Sequence, residues 1–366
     1  MRNSTQKEPE LLVRPDVSLL DEQITIQVSG LDPAERVTLR VEMAWGDADF
    51  QASATFEADD DGVVSTADDA PIAGPYEGVH PMGLFWAMRP VDGSPMDRTS
   101  IPEQLPTTVS LERHGEEITS VSVTRRSRTR GVERLDVTAD GVPADLYVPA
   151  GEGPHPGVVA LGGSEGGRPR SVRPWLLASH GYAVLGPAYF GENGSPADHL
   201  TEVPVEAVER AVAWFADCES VRPEPVAVIG TSRGSELAFL LGSRLDAVRT
   251  VVGIVPSGVA FQGLGENFRP ADTAAWAIGG DPVAYVPFEF SLRDTLSLVW
   301  SVLRARPIRM RGTYVDGITA TDPERVGAAE IPVEESGGPV LLLAGEDDDL
   351  WASATLARRL RDRLDD

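Results

Sequence analysis

The run Val226-Ala-Val-Ile-Gly230-Thr-Ser232-Arg-Gly234-Ser-Glu-Leu-Ala238 constrains this chain more than any other stretch. Its first four residues are apolar and read as a buried strand. The residues after Gly234 read as a helix. Between them stands G-x-S-x-G. A serine in so tight a strand-to-helix bend leaves no room for side chains two positions before and two after, so both are glycine. The bend lifts the Ser232 hydroxyl above the sheet at a helix N-terminus, where the dipole favours developing negative charge. Ser232 is the candidate nucleophile. An ordinary glycine-rich turn is the competing reading.

A buried strand needs a sheet around it. Apolar runs at 157–161, 182–185, 248–255 and 340–344 alternate with helical patterns at 173–180, 205–216 and 235–245. Unbroken apolar strands between helices predict a mostly parallel sheet covered on both faces. Strands near 132–138 and 143–148 should pair through a tight Asp140-Gly141 hairpin. The segment 257–335 interrupts the alternation. It carries Phe261, Trp276, Tyr285, Phe288, Phe290 and Trp300, enough apolar bulk for a lid or wall over a pocket.

The first third follows another rule. Val37, Leu39, Val41 and Met43 alternate with Thr38, Arg40 and Glu42, and Phe50, Ala52, Ala54 and Phe56 alternate with polar residues. Period two predicts antiparallel strands with one buried face, here an N-terminal β-sandwich over 10–125. Residues 1–9 are expected to be a disordered tail. The basic stretch TRRSRTRG at 124–131 is the joint to a second domain over 126–366. A length of 366 residues fits two domains.

Composition narrows the partners. A net charge of −25 argues against nucleic acid or an anionic membrane surface. No apolar run is long enough to cross a bilayer, and the polar start lacks a signal-peptide pattern, so a cytoplasmic location is expected. Cys218 is the only cysteine, which leaves no intrachain disulfide and no cysteine metal cluster. No metal or cofactor is expected. Lys7 is the only lysine. An acidic, lysine-poor surface suits concentrated salt, where repulsion is screened over about 3 Å at 1 M. GC-rich codon bias with ordinary acidity is the alternative.

The remaining catalytic parts are sought by position. An oxyanion hole needs two backbone N–H donors. One is assigned to Arg233, after the nucleophile. The other is Gly163 or Ser164 in Leu161-Gly-Gly-Ser-Glu-Gly-Gly167, which follows an earlier strand; a phosphate-binding loop there would need a following Lys-Ser/Thr. The acid should follow a late strand, and Asp348 in Gly345-Glu-Asp-Asp-Asp-Leu-Trp351 is the choice. Asp347 comes next and Asp281 is a poorer alternative, while an acidic run before a helix also serves as a cap. Arg168, Arg170 and Arg173 could meet phosphates of a substrate, or be a solvated surface. His80, His114, His155, His180 and His199 all precede Asp348. The expected order of Ser, acid, His is therefore not completed, and the expectation is a chain that stops before a last strand, histidine turn and helix.

These residues resemble the acyl-CoA thioesterases and the related bile acid-CoA:amino acid N-acyltransferases. The likeness runs through Gly78-Val-His-Pro-Met82-Gly-Leu-Phe-Trp86-Ala-Met88, Gly162 to Gly167, His180-Gly-Tyr-Ala-Val-Leu, Gly230-Thr-Ser-Arg-Gly234, and Ile331-Pro-Val-Glu through to Trp351. The resemblance implies a β-sandwich followed by an α/β-hydrolase domain, with Ser232 as nucleophile, Asp348 as acid, and the histidine beyond the last residue. It implies a small-molecule acyl-CoA substrate. The amidating branch generally uses cysteine, so serine favours hydrolysis over transfer to an amine. A carboxylesterase or dienelactone-hydrolase-like enzyme, and an inactive binding fragment, are the competing readings.

Overall fold

Period-two alternation before residue 126 becomes two sheets in the computed structural model, which describes residues 8–91, 100–290, 300, 304 and 309–365. One sheet holds β1 (Glu10–Arg14), β3 (Thr25–Ser29) and β6 (Val64–Ser65). The other holds β2 (Val17–Leu19), β4 (Arg36–Trp45), β5 (Ala48–Glu57), β7 (Arg89–Pro90), β8 (Gln104–Arg113) and β9 (Glu116–Arg126), in the order β2-β9-β8-β4-β5-β7. All pairs are antiparallel except β2 with β9. The alternating residues do what their spacing demands. Val37, Leu39, Val41 and Phe56 are buried with Ile24, Ile26 and Val28, while Arg36 and Glu57 form an exposed ion pair. Seven of the nine residues of the expected 1–9 tail lie outside the described residues.

The short helix α1 (Gly83–Trp86) lies inside the Gly78 to Met88 motif. A Cβ on Gly83 would stand 2.3 Å from the Tyr76 ring, so the glycine is needed for the ring to pack on the backbone.

Residues up to Arg130, with Ser171–Leu176, make one compact unit. Gly131–Arg170 and the residues from Leu177 onward make the other. The second unit is built on a seven-stranded sheet of β10 (Glu133–Ala139), β11 (Val142–Val148), β12 (Gly157–Leu161), β13 (Ala183–Pro187), β15 (Val226–Thr231), β16 (Val248–Ile254) and β21 (Val340–Leu343). Their order is β10-β11-β13-β12-β15-β16-β21, parallel from β13 onward. The β10–β11 hairpin turns through Asp140 at φ 45° and Gly141 at φ 88°. Two positive φ values in a two-residue turn match the right-handed twist of the paired strands.

Helices α2 (Arg173–Ser179), α3 (Val205–Ala216) and α4 (Arg233–Arg244) alternate with these strands. Helix α3 buries Val205, Val208, Val212 and Phe215, one face at helical spacing. It begins six residues after His199, which stands in the preceding loop. The stretch 257–335 contributes β19 (Trp276–Ile278) and β20 (Asp281–Pro282), which form a minor sheet with β14 (Val203–Pro204), a ribbon of β17 (Gln262–Leu264) and β18 (Pro270–Ala274), and the helices Arg311–Ala320 and Pro323–Ala328. Its residues 291–299, 301–303 and 305–308 lie outside the described residues. Among the described residues no helix is long and apolar enough to cross a membrane.

Candidate active site

Ser232 ends β15 and opens α4 with φ 52° and ψ −121°, a conformation that only glycine adopts without strain. The surroundings impose it. Ser232 N–H donates to Ile254 O at 2.9 Å, which ties the bend to β16. Its carbonyl accepts from the Ser235 N–H at 2.8 Å and the Ser235 hydroxyl at 2.6 Å. A Cβ on Gly230 would stand 2.2 Å from Gly234 O, and one on Gly234 would stand 2.0 Å from Gly162 O. Both glycines of the motif are thus places where backbone packs on backbone. Ser232 as a residue is half-buried.

The glycine-rich loop reaches Ser232 because of sheet register. β12 and β15 are neighbours with Leu161 opposite Gly230, so the chain leaving β12 runs beside the bend. A Cβ on Gly163 would lie 3.5 Å from Ser232 Cβ and 3.3 Å from Thr231 O. The buried Tyr189 hydroxyl sits 2.7 Å from Gly162 O and 3.2 Å from Gly163 O, holding both carbonyls on its side. Burial pushes the Tyr189 phenol well above its ordinary range, which keeps it a neutral donor. Gly163 is buried, and half-buried Ser164 begins the turn that follows it.

Arg233 supplies more than an amide. Its side chain is 1% exposed, with Nε 2.9 Å from Glu236 Oε1, itself fully buried. The guanidinium donates to Gln262 O at 3.0 Å and Phe261 O at 2.9 Å. Trp276 Nε1–H donates to Glu236 Oε2 at 2.8 Å. Burial pushes the Glu236 carboxyl up to about 7, against the pull of Arg233 and these hydrogen bonds. Phe261 and Phe288 stack near the guanidinium, and Tyr314 and Trp351 pack edge-on against Phe261. The aromatic bulk of 257–335 therefore buries the first turn of α4. Sequence reasoning missed Glu236; its only signal was a charge three residues after Arg233 on an apolar helix.

Asp348 follows β21, half-buried. Its Oδ1 accepts from the Leu350 and Trp351 N–H groups at 3.2 and 3.0 Å, and its Oδ2 from the Ser353 hydroxyl at 2.7 Å. It organises the turn into the helix Ser353–Asp365. Asp347 and Asp281 are exposed. Arg168 differs from the expectation of a phosphate contact. Asp136, Asp145 and Glu192 each lie 3.0 Å from its guanidinium, so its charge is already neutralised. Arg170 is exposed, and half-buried Arg173 belongs with the first unit.

None of the five histidines is hydrogen-bonded to Ser232 among the described residues. His80 packs against Tyr76 and Trp86, His114 sits in the β8–β9 turn, and His155 pairs with the backbone of Ser220 and Arg222. His180 and His199 are exposed. No group of three or more His, Cys, Asp or Glu able to hold a metal occurs among the described residues.

A mostly parallel sheet with a strained serine at the central strand-to-helix bend, and a glycine loop beside it, defines an α/β-hydrolase. Residues 21–139 match the family described as acyl-CoA thioester hydrolase/BAAT N-terminal region, and residues 203–273 match BAAT/acyl-CoA thioester hydrolase C terminal. The peroxisomal succinyl-coenzyme A thioesterase of Mus musculus is 30% identical over 360 residues, 95% of this chain and 78% of that protein. Acyl-coenzyme A thioesterase 3 of Mus musculus is 30% identical over 373 residues, with 99% and 80% covered. Acyl-coenzyme A amino acid N-acyltransferase 1 of Mus musculus is 28% identical over 366 residues, with 97% and 81% covered. The chain belongs to the acyl-CoA thioester hydrolase/BAAT family.

Proposed function

We propose that this protein hydrolyses acyl-CoA thioesters to free acid and CoA through an acyl-serine intermediate. The observation that supports the reading is the strained backbone of Ser232, whose Cβ stands beside the glycine loop. Ser232 attacks the thioester carbonyl. The amides of Arg233 and of Gly163 or Ser164 hold the oxyanion, CoA thiol departs, and water releases the acid. Asp348 is the proposed acid of the catalytic set. Its three donors lower the cost of keeping a carboxylate in a half-buried loop. With Arg168 neutralised and Arg173 in the first unit, exposed Arg170 is the proposed contact for the CoA phosphates. The segment 257–335 is the proposed wall of the acyl site. Serine at 232 favours water over an amine as the acceptor. The proposed acyl-CoA substrate supports a role in lipid metabolism, and the net charge of −25 with a single lysine supports a salty cytoplasm as its setting.

The test is release of CoA thiol from acyl-CoAs of graded length, run against short oxygen esters. The expected result is preference for thioesters, free acid as product even with an amino acid acceptor present, and loss of turnover in Ser232→Ala. Turnover surviving in Ser232→Ala would remove the nucleophile. Preference for oxygen esters would favour the carboxylesterase reading, and failure of Ser232 to react with a fluorophosphonate probe would favour a binding role.

A further inference from the structure

Two carbonyls of the glycine loop depend on one side chain. Tyr189 stands just after β13 and is 1% exposed. Its hydroxyl donates to Gly162 O at 2.7 Å and shares the proton with Gly163 O at 3.2 Å. Among the described residues neither carbonyl has another donor. The ring is fixed by its neighbours, since Phe190 and Trp276 pack against it with centroids 5.1 and 5.8 Å away. The far end of the loop is tied to the same place, because the Gly167 N–H donates to Phe190 O at 2.8 Å. Tyr189 and Phe190 thus grip the loop at both ends.

A peptide unit is planar and trans, so its C=O and N–H point in opposite directions. Turning Gly162 O toward Tyr189 therefore turns the Gly163 N–H away from it, and turning Gly163 O does the same for the Ser164 N–H. Those are the two amides named as oxyanion donors on the loop. Among the described residues neither N–H donates to a protein acceptor, nor does that of Arg233. Buried backbone N–H groups without an acceptor are rare in folded chains, and Gly163 is buried. Glycines at 162 and 163 put few limits on their own φ and ψ, so the loop by itself does not fix these planes. An oxyanion hole works because its donors are oriented before charge develops. Here the phenol supplies the orientation.

Resting on the thioesterase reading, we propose that Tyr189 is a positioning residue for the oxyanion hole, holding the Gly162–Gly163 and Gly163–Ser164 peptide planes so that their N–H groups are free for the alkoxide formed at Ser232. In this role Tyr189 does not touch the reacting atoms and acts through the loop. It serves both the attack of Ser232 on the thioester and the attack of water on the acyl-serine, because each passes through an oxyanion. The effect is selective: substrate binds with or without the hydroxyl, and only the oxyanion loses its donors. No proton is exchanged, since burial keeps the phenol a neutral donor.

Tyr189→Phe supplies the test, because it removes the hydroxyl and leaves the ring in place. Wild type and variant, both full length, are compared in turnover of a short acyl-CoA and in binding of two analogues. S-propyl-CoA has no carbonyl and reports binding alone. Trifluoroacetonyl-CoA carries an activated ketone that adds Ser232 and places an oxyanion in the hole. In Tyr189→Phe, kcat should fall by about 10², as for a misplaced oxyanion donor, with KM within about threefold of wild type. Affinity for trifluoroacetonyl-CoA should fall by a similar factor, and affinity for S-propyl-CoA by less than about twofold. Tyr147→Phe is the control: it removes another buried hydroxyl of the same unit, beside Asp145, and should leave the ratio of the two affinities unchanged. Urea unfolding shows that both variants are folded. A fall in kcat of less than about fivefold overturns the proposal, and so does equal weakening of both analogues, which a merely structural role produces, or the same selective loss in Tyr147→Phe. If wild type neither releases CoA nor forms the Ser232 adduct with trifluoroacetonyl-CoA, the thioesterase reading falls and the proposal with it; if wild type turns over, only the role of Tyr189 is at stake.

Discussion

Gly234→Ala tests the central geometry most directly. The added Cβ would stand 2.0 Å from Gly162 O, 3.0 Å from Gly162 C and 3.1 Å from Leu161 O. All three are backbone atoms, so no side chain can swing aside. Cβ atoms essentially never approach a neighbour closer than 3.0 Å, so the first turn of α4 and the loop after β12 must separate by about 1 Å. Overpacking of this kind costs about 1–3 kcal/mol. The same displacement moves the Arg233 and Gly163 amides apart, and about 1 Å of misplacement costs about 10²-fold in rate. Urea unfolding and CoA release read the two effects separately. Gly327→Ala is the control. In the helix Pro323–Ala328 its Cβ would meet nothing within 4 Å, and a helical Gly-to-Ala change gains about 1 kcal/mol. A Gly234→Ala protein with the wild-type urea midpoint and a kcat within threefold of wild type would refute the close packing of helix and loop.

Four further outcomes are expected. Ser232→Gly should abolish turnover yet raise stability by about 1 kcal/mol, because glycine adopts φ 52° and ψ −121° without strain; an unchanged or lower urea midpoint would count against strain at the bend. Glu236 titrates at about 7 in the folded chain against an ordinary value of 4.5, so its contribution is complete below 4.5 and is lost as pH rises through 7. The loss amounts to about 3 kcal/mol, and urea midpoints at pH 5 and pH 8 should show Glu236→Gln flattening it. Asp348→Ala should cost about 1 kcal/mol by freeing the Leu350 and Trp351 amides, whereas Asp348→Asn keeps an acceptor there and should lose activity more than stability; equal activity in Asp348→Asn and wild type would remove it as the acid. Thermal midpoints should climb between about 0.1 and 2 M KCl as repulsion in a chain of net charge −25 is screened, and a flat response would end the salt-adaptation reading.

Different residues were legible in the sequence to different degrees. The helix 205–216 was read with its observed bounds because Val205, Val208, Val212 and Phe215 repeat at helical spacing. The Asp140-Gly141 hairpin was equally clear, since two positive φ values demand such residues. The Arg233–Glu236 pair was not legible as buried. Its burial comes from Phe261, Trp276 and Phe288, which are 25 or more positions away in the chain. Arg168 was misleading for a related reason: arginine in a glycine loop resembles a phosphate contact until Asp136, Asp145 and Glu192 are folded around it.

Local chemistry by itself determined the strand, bend and helix around Ser232, since periodicity and the two glycines act over a dozen neighbouring residues. What the hydroxyl faces was decided only by tertiary structure. Sheet order sets β12 beside β15, and that register lays Gly162 and Gly163 against the bend at Ser232 across some 70 positions of chain. Such long-range pairing follows from how the whole sheet shares its buried faces, a property that no short window of sequence contains.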